Sequence, residues 1–323
     1  MTWLVVGGAG YIGSHVVRRL RADGRPVVVL DDLSTGDRAR VPDDVPMVVA
    51  PDTDRAALAG VFRRHRIAGV AYLAALKSAP ESVADPLKYY GQNLDGMRVL
   101  LEEMISAGVD RIVLSSSAAV YGVPGEPVVT EETPAAPINP YGETKLMCEW
   151  MLRAAGGANG ISWIALRYFN VVGADEQVLA DRGGSSLLPQ VIQRVAAGRP
   201  AVVTGADFPT RDGTGIRDYV HVADIADAHV AAIHRLEETR AADVYNVGTG
   251  RGYSVLEVID TLREVAGVPV KVQTAPRREG DPPEVVAAVD KIGRDLSWKA
   301  QHDLSDMVHS AWTTWNPKDD ATV

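Results

Sequence analysis

Three side chains near the middle of this chain could converge on one hydroxyl of a bound substrate: the hydroxyl of Ser117, the phenol of Tyr141 and the ammonium of Lys145. Tyr141 and Lys145 stand four residues apart, so on a helix they share a face. A nearby cation favours the phenolate, which draws a group of pKa about 10 towards working pH. That is one way to make a general base from a tyrosine. Each piece has a plainer reading, because YxxxK pairs on helices are common and a serine-rich end to an apolar run usually forms a turn. The constellation gains meaning only from the elements that must position it.

Those elements alternate. Trp3 to Val6 reads as a strand, Tyr11 to Ala22 as a helix and Pro26 to Leu30 as a strand. Met47 to Val49, a helix around Arg55 to His65 and a strand near Val70 to Leu73 follow. The helical stretch Tyr89 to Ala107 leads to Ile112-Val113-Leu114, and a Pro-rich loop from Pro124 to Pro140 precedes a helix to about Ala155. A strand at Trp163 to Leu166 ends the alternation. Unbroken apolar strands between helices predict an α/β fold of Rossmann type, a doubly wound parallel sheet covered on both faces. The second half is punctuated by Gly, Pro and Asp at 173–184, 205–215 and 277–283, loops of a length that tends to shape a site. The expected division is 1–172 for the first domain, with about 215–248 partly returning to it, and 173–323 for a smaller mixed α/β substrate domain.

Gly7-Gly8-Ala9-Gly10-Tyr11-Ile12-Gly13 lies directly between the first strand and the first helix, the context that makes a glycine motif specific for a dinucleotide. Gly7 permits the tight turn, Gly10 lets backbone approach a pyrophosphate, and Gly13 allows close helix–strand packing. Asp31 ends the second strand, 18 residues after Gly13, where a carboxylate accepts from an adenosine ribose and repels a 2′-phosphate, so NAD is favoured over NADP. Asp52 could reach the adenine or be a plain surface acid.

The 46% apolar and 23% charged composition is that of a globular protein, and a net charge of -9 without a basic cluster argues against nucleic-acid binding. The single cysteine, Cys148, excludes an intramolecular disulfide and fits a reducing compartment; in a helical pattern it reads as a small core residue. The N-terminal residues lack a cationic signal-peptide region and no apolar run reaches the roughly 18 residues of a membrane span, so a cytoplasmic location is expected.

With these pieces placed, the chain resembles the UDP-galactose (UDP-glucose) 4-epimerase family of the extended short-chain dehydrogenase/reductase superfamily over nearly its whole length. The resemblance rests on GGAGYIGSH from Gly7, LDDLSTG from Leu30, LAALKSAPESVADPLKYY from Leu73, SSSAAVYG from Ser115, NPYGETKL from Asn139 and LRYFNVVGA from Leu166. PTRDGTGIRDYVHVADIADAH from Pro209 and APRREGD from Ala275 lie outside the generic cofactor fold and are more diagnostic. The resemblance implies that Tyr141 takes the sugar 4-hydroxyl proton while hydride passes from C4 to tightly held NAD+. The 4-keto sugar then turns over and is reduced on its other face. Ser117 would bond the 4-oxygen, and Lys145 would hold the nicotinamide ribose and lower the Tyr141 pKa. Cofactor contacts implied besides the glycines and Asp31 are Tyr11, Ile12, Asp32, Leu33, Ser34, Thr35, Gly36, Asp52, Thr53, Leu73, Ala74, Ala75, Lys77, Asn93, Ser115 and Tyr168.

For the UDP-sugar the resemblance implies Arg217 and Arg278 on the diphosphate, Asp281 on the uridine ribose, and Asn170, Lys77, Leu187 and Val202 as further contacts. Ser186 stands where the family often has an asparagine, and Thr204 replaces a frequent aromatic beside the uracil. Val285, of intermediate size at the sugar pocket, implies a preference for plain hexoses over N-acetylhexosamines. A homodimer through helices including Tyr89 to Ala107 is also implied. The nearest rival, a nucleotide-sugar 4,6-dehydratase, needs two acids where this chain has Ala118 and Ala119, and alanine cannot move protons. A pentose epimerase and a non-catalytic dinucleotide-sensing or scaffold protein remain as alternatives; the latter would be expected to lack the Tyr or Lys that this chain keeps.

Overall fold

Strands such as Thr2–Val6 (β1) and Val27–Asp31 (β2) are buried almost throughout, so helices must cover both faces of their sheet. The computed structural model describes residues 1–183, 186–278 and 280–315. Between and after these strands come α1 (Tyr11–Ala22), β3 (Met47–Val49), α2 (Arg55–Arg64), β4 (Ile67–Tyr72), α3 (Ala79–Ala84), α4 (Pro86–Ala107), β5 (Arg111–Ser117), β6 (Val128–Val129) and α5 (Pro140–Asn159). The second half adds β7 (Ser162–Tyr168), β8 (Asn170–Val172), α6 (Leu187–Ala196), β9 (Ala201–Thr204), β10 (Ile216–His221), α7 (Val222–Glu238) and β11 (Ala242–Val247). It closes with β12 (Gly252–Ser254), α8 (Val255–Ala266), β13 (Val272–Ala275), β14 (Glu284–Ala287), α9 (Asp290–Leu296) and α10 (Leu304–Thr314).

Seven parallel strands run in the order β11-β7-β5-β4-β1-β2-β3. The order reverses direction between β1 and β4, and the crevice beyond the carboxyl ends of those strands is where such sheets take ligands. One core cluster, with Val5, Val17, Leu20, Ile225 and Leu236, packs α1 and α7 on one face. The other, with Leu4, Val6, Leu58, Met97, Leu100 and Leu152, packs α2, α4 and α5 on the opposite face. A third cluster around Val172, Leu188, Ile192, Tyr219, Ile259 and Met307 forms the core of the smaller lobe.

The predicted alternation is present, and two details differ from the expectation. The serine run is strand rather than turn: Ser115, Ser116 and Ser117 pair with Leu166, Arg167 and Tyr168. Ladder hydrogen bonds to β7 outweigh the turn preference of serine. The long helix starts earlier, at Pro86, because the Asp85 carboxylate accepts from Lys88 N at 3.3 Å and proline suits the first helical position. In the 215–248 segment β11 is an edge strand of the seven-stranded sheet and α7 packs on its face, while β10 joins the second sheet, of order β12-β10-β14-β6, with β8 beside it. The loop from Pro124 thus lends its strand β6 to that second sheet.

Candidate active site

The start of α5 is set by Asn139, whose side-chain oxygen accepts from Gly142 N at 2.9 Å, and by Pro140 after it. This puts Tyr141 in the first turn and Lys145 one turn later on the same face. Ser117 ends β5 and caps a 3-10 turn at Ala118–Tyr121 by accepting from Ala119 N at 3.2 Å. Its oxygen being so occupied, the Ser117 hydroxyl is left to donate. Gly142 lets the two pieces meet: a Cβ there would lie 2.6 Å from Ala119 O and 3.0 Å from Pro137 Cβ. Ser117, Tyr141 and Lys145 consequently line one cleft.

The electrostatics of this trio depart from the expectation. Burial pushes the Tyr141 phenol above its usual value, and the Ser117 hydroxyl bonded to it pulls the other way. Lys145 is not among the groups lowering it. The ammonium is buried, its own pKa is lowered by that burial, and it donates to Ser115 O at 2.9 Å. In this state the lysine is anchored to backbone, and the serine is the group that favours the phenolate.

Beside the trio lies a cleft of about 530 Å³ over the carboxyl ends of β1, β2 and β4. Gly7, Gly10, Tyr11, Ile12 and Gly13 line it, with Asp31, Asp32, Ser34, Thr35, Asp52, Leu73, Ala74, Ala75, Lys77 and Ser115. Gly10 occupies the N-cap of α1 with no side-chain cap, so the first-turn N–H groups are left for a ligand. Gly7 has φ +83°, and a Cβ on it would lie 2.6 Å from Ala74 N. The Asp31 carboxylate, 7% exposed, accepts from Ala9 N at 2.8 Å and from Leu33 N at 2.9 Å, which ties the glycine turn to the end of β2. Asp32 accepts from Ser34 N at 2.9 Å and shapes the next turn. Asp52 is no plain surface acid: it accepts from the Tyr72 hydroxyl at 2.6 Å, and burial raises its pKa.

A larger cleft of about 920 Å³ runs on from the trio towards the smaller lobe. Lys77, Ser115, Tyr168, Asn170, Ser186, Leu187, Val202, Thr204, Arg217, Arg278 and Asp281 line it. Lys77 borders both clefts, its Nζ 5.8 Å from the Tyr11 ring centroid. Arg217 and Asp281 form an ion pair, and Arg217 Nη1 donates to Ile216 O at 2.8 Å. The ion pair leaves Nε and the outer guanidinium hydrogens for a ligand. Val202 and Thr204 alternate with the buried Ala201 and Val203, so both face the cleft.

Some predicted residues serve elsewhere. Asn93 is 2% exposed and bonds Leu76 N, Leu76 O and Thr144 Oγ1 at 2.8, 3.1 and 3.0 Å, so it braces the Leu73–Lys77 loop against α5 instead of lining a cleft. Val285 packs into a cluster with Val120, Tyr121, Leu146 and Phe169, and Phe169 is the member that reaches the cleft. Leu33, at φ +60°, packs against the core beside Asp31. Gly36 is where a Cβ would meet Asp31 Oδ1 at 2.7 Å; neither it nor Thr53 is on a cleft wall. Tyr168 presents its ring, while its hydroxyl is 2.7 Å from His229 Nε2, the nitrogen left to accept because Nδ1 faces Ile225 O at 3.0 Å. Cys148 is buried, as expected. Gln190 and Arg194 line the larger cleft without having been singled out. Their spacing after Leu187, three and seven residues on α6, was the available signal.

The chain shares this architecture with proteins of known activity. The model of the NAD dependent epimerase/dehydratase family matches residues 3–248. The UDP-glucose 4-epimerase of Azospirillum brasilense is 45% identical over 319 residues, covering 97% of this chain and 91% of that protein. The structure of UDP-glucose 4-epimerase from Stenotrophomonas maltophila, with bound NAD and formylated UDP-arabinopyranose, superimposes with a TM-score of 0.94 at 39% identity over 100% of both chains. That from Bifidobacterium longum, in complex with NAD+ and UDP, does so with a TM-score of 0.92 at 39% identity, again over 100% of both. With a fold, a glycine turn and a Ser-Tyr-Lys cleft of this kind, the chain belongs to the NAD-dependent epimerase/dehydratase family.

Proposed function

We propose that the protein interconverts UDP-galactose and UDP-glucose by NAD-dependent epimerisation at C4 of the sugar. The observation that carries this reading is the meeting of Ser117, Tyr141 and Lys145 on the wall of a cleft whose far side holds Arg217, Arg278 and Asp281. The smaller cleft fits a dinucleotide: its uncapped helix turn at Gly10 suits a pyrophosphate, Asp31 an adenosine ribose and Asp52 the adenine. Lys77 and Lys145 would hold the nicotinamide end. When bound, NAD+ supplies a hydride acceptor that later returns the hydride, and a positive charge that favours phenolate.

Tyr141 takes the proton of the C4 hydroxyl as that carbon is oxidised, and Ser117 donates to the same oxygen. The 4-keto sugar then offers its other face, and Tyr141 gives the proton back. One phenol serves both half-reactions, so no separate acid is needed. Arg217 and Arg278 suit the diphosphate, since a guanidinium fork matches phosphate oxygens. Asp281 takes the uridine ribose, and Asn170, Ser186, Leu187, Val202 and Thr204 complete the wall. On this reading residues 1–172 with part of 215–248 serve the cofactor, and 173–323 mainly the nucleotide sugar.

Incubating the protein with UDP-galactose, UDP-glucose, UDP-N-acetylglucosamine and a UDP-pentose, followed by NMR of the products, tests the assignment. Inversion at C4 of the hexoses without loss of water is expected. A 4-keto-6-deoxy product would point to dehydration, and no turnover of any sugar to a sensing or scaffold role. Plain hexoses are expected to turn over fastest; equal turnover of UDP-N-acetylglucosamine would remove that preference.

The protein is further expected to form a homodimer through α4 and α5, which pack together and leave Leu87 79%, Trp150 52% and Ile105 42% exposed. Light scattering should give twice the chain mass, and Trp150→Glu should halve it. A parent of single-chain mass would sink this assembly.

A further inference from the structure

Behind the reacting residues lies a charged pair that none of these steps uses. Glu149 and Arg167 have side-chain exposures of 3% and 5%. Arg167 donates from Nε to Oε1 at 3.0 Å and from Nη2 to Oε2 at 2.6 Å. The Ser116 hydroxyl donates to the same Oε1 at 2.5 Å. Arg167 Nη1 donates to the Tyr121 hydroxyl at 2.9 Å, and Tyr121 donates to Asn246 Oδ1 at 2.7 Å. Asn246 Nδ2 then donates to Val129 O at 3.0 Å. One continuous network thus joins α5, β5, β7, the 3-10 turn, β11 and β6.

Replacing a buried ion pair by apolar side chains is often neutral or stabilising, so stability is a weak reason for this one. Its ends are better explained by what they adjoin. Ser116 precedes Ser117 on β5. Glu149 follows Lys145 by one turn of α5. Tyr121 closes the turn that Ser117 caps. The network therefore touches the support of every member of the trio without touching the clefts' nucleotide ends.

We propose, resting on the epimerase reading above, that Glu149 and Arg167 are positioning residues that hold Ser117, Tyr141 and Lys145 in mutual register.

The test measures kcat and KM for UDP-galactose and UDP affinity by calorimetry, for the full chain and for Glu149→Gln, Glu149→Asp and Ser116→Ala. Glu149→Gln is expected to lower kcat roughly 10–100-fold, as small misplacements of reacting groups do. KM and UDP affinity should stay within about twofold. Glu149→Asp keeps a carboxylate for Arg167 and should recover part of the lost kcat. Ser116→Ala should lower kcat a few-fold. Parental kcat in Glu149→Gln, no recovery in Glu149→Asp, or KM and UDP affinity worsening in step with kcat would each overturn the proposal. Should Glu149→Gln fail to fold, parental kcat in both other variants would overturn it. The parent's own turnover, measured first, tests the epimerase reading separately.

Discussion

Tyr141→Phe is expected to lower kcat for UDP-galactose by roughly 10²–10⁴-fold, with KM, UDP affinity and bound NAD almost unchanged. The phenyl ring fills the same space, so what disappears is the group that moves the proton. No neighbour stands ready to replace it. The Lys145 ammonium is held on Ser115 O at 2.9 Å, the Ser117 oxygen already accepts from Ala119 N, and residues 118 and 119 are alanines. The phenol itself is pushed above its usual pKa by burial, which keeps it protonated at neutral pH before ligands arrive. Without substrate the Ser117 hydrogen bond favours phenolate; once that hydroxyl donates to the C4 oxygen, the cationic cofactor would be left to do so. Turnover by Tyr141→Phe within tenfold of the parent would remove the phenol from its role as base.

The cofactor half of this site was legible in sequence because its determinants are local. A glycine turn between strand and helix, an acid at the end of the next strand and a YxxxK pair each act over one or two turns of chain, so spacing alone fixes their relative placement. The residues that went elsewhere are those whose direction depends on distant packing. Asn93 matches a motif position, but whether its amide faces a ligand or the Leu76 backbone is decided by how α4 meets the loop after β4. Val285 reaches its cluster because β14 pairs with β10 and β6, whose partner residues stand 68 and 158 positions away in the chain. The Arg217–Asp281 ion pair and the Glu149–Arg167 network join separate strands and helices in the same way. Neither has a signature in local periodicity. Sharing a helix face with Tyr141 likewise does not fix where the Lys145 ammonium points, and here it donates to the Ser115 carbonyl.

Gly13→Ala pits two local rules against each other. By helix propensity alone, alanine in the first turn of α1 should stabilise by up to about 1 kcal/mol, since glycine loses more backbone entropy on folding. Sterics give the opposite sign. A Cβ on Gly13 would collide with the Gly7 carbonyl oxygen and lie 2.9 Å from both Gly7 C and Gly8 Cα. All three are backbone atoms and cannot swing away. The turn cannot yield either, because Gly7 N donates to Leu30 O at 2.8 Å and Gly7 is itself pressed against Ala74. Relief requires α1 to move off the sheet, and overpacking of this kind costs about 1–3 kcal/mol or more. The collision should therefore win, and with α1 displaced its N–H groups no longer meet a pyrophosphate. Purified Gly13→Ala is expected to carry little NAD and to melt well below the parent. Gly24→Ala is the control: its φ of +79° disfavours alanine by about 1 kcal/mol, yet no atom lies within 4 Å of the added Cβ. That variant should keep its full complement of NAD. A Gly13→Ala protein that retained both its cofactor and its melting temperature would mean that the close approach of α1 to the glycine turn is not what builds the site.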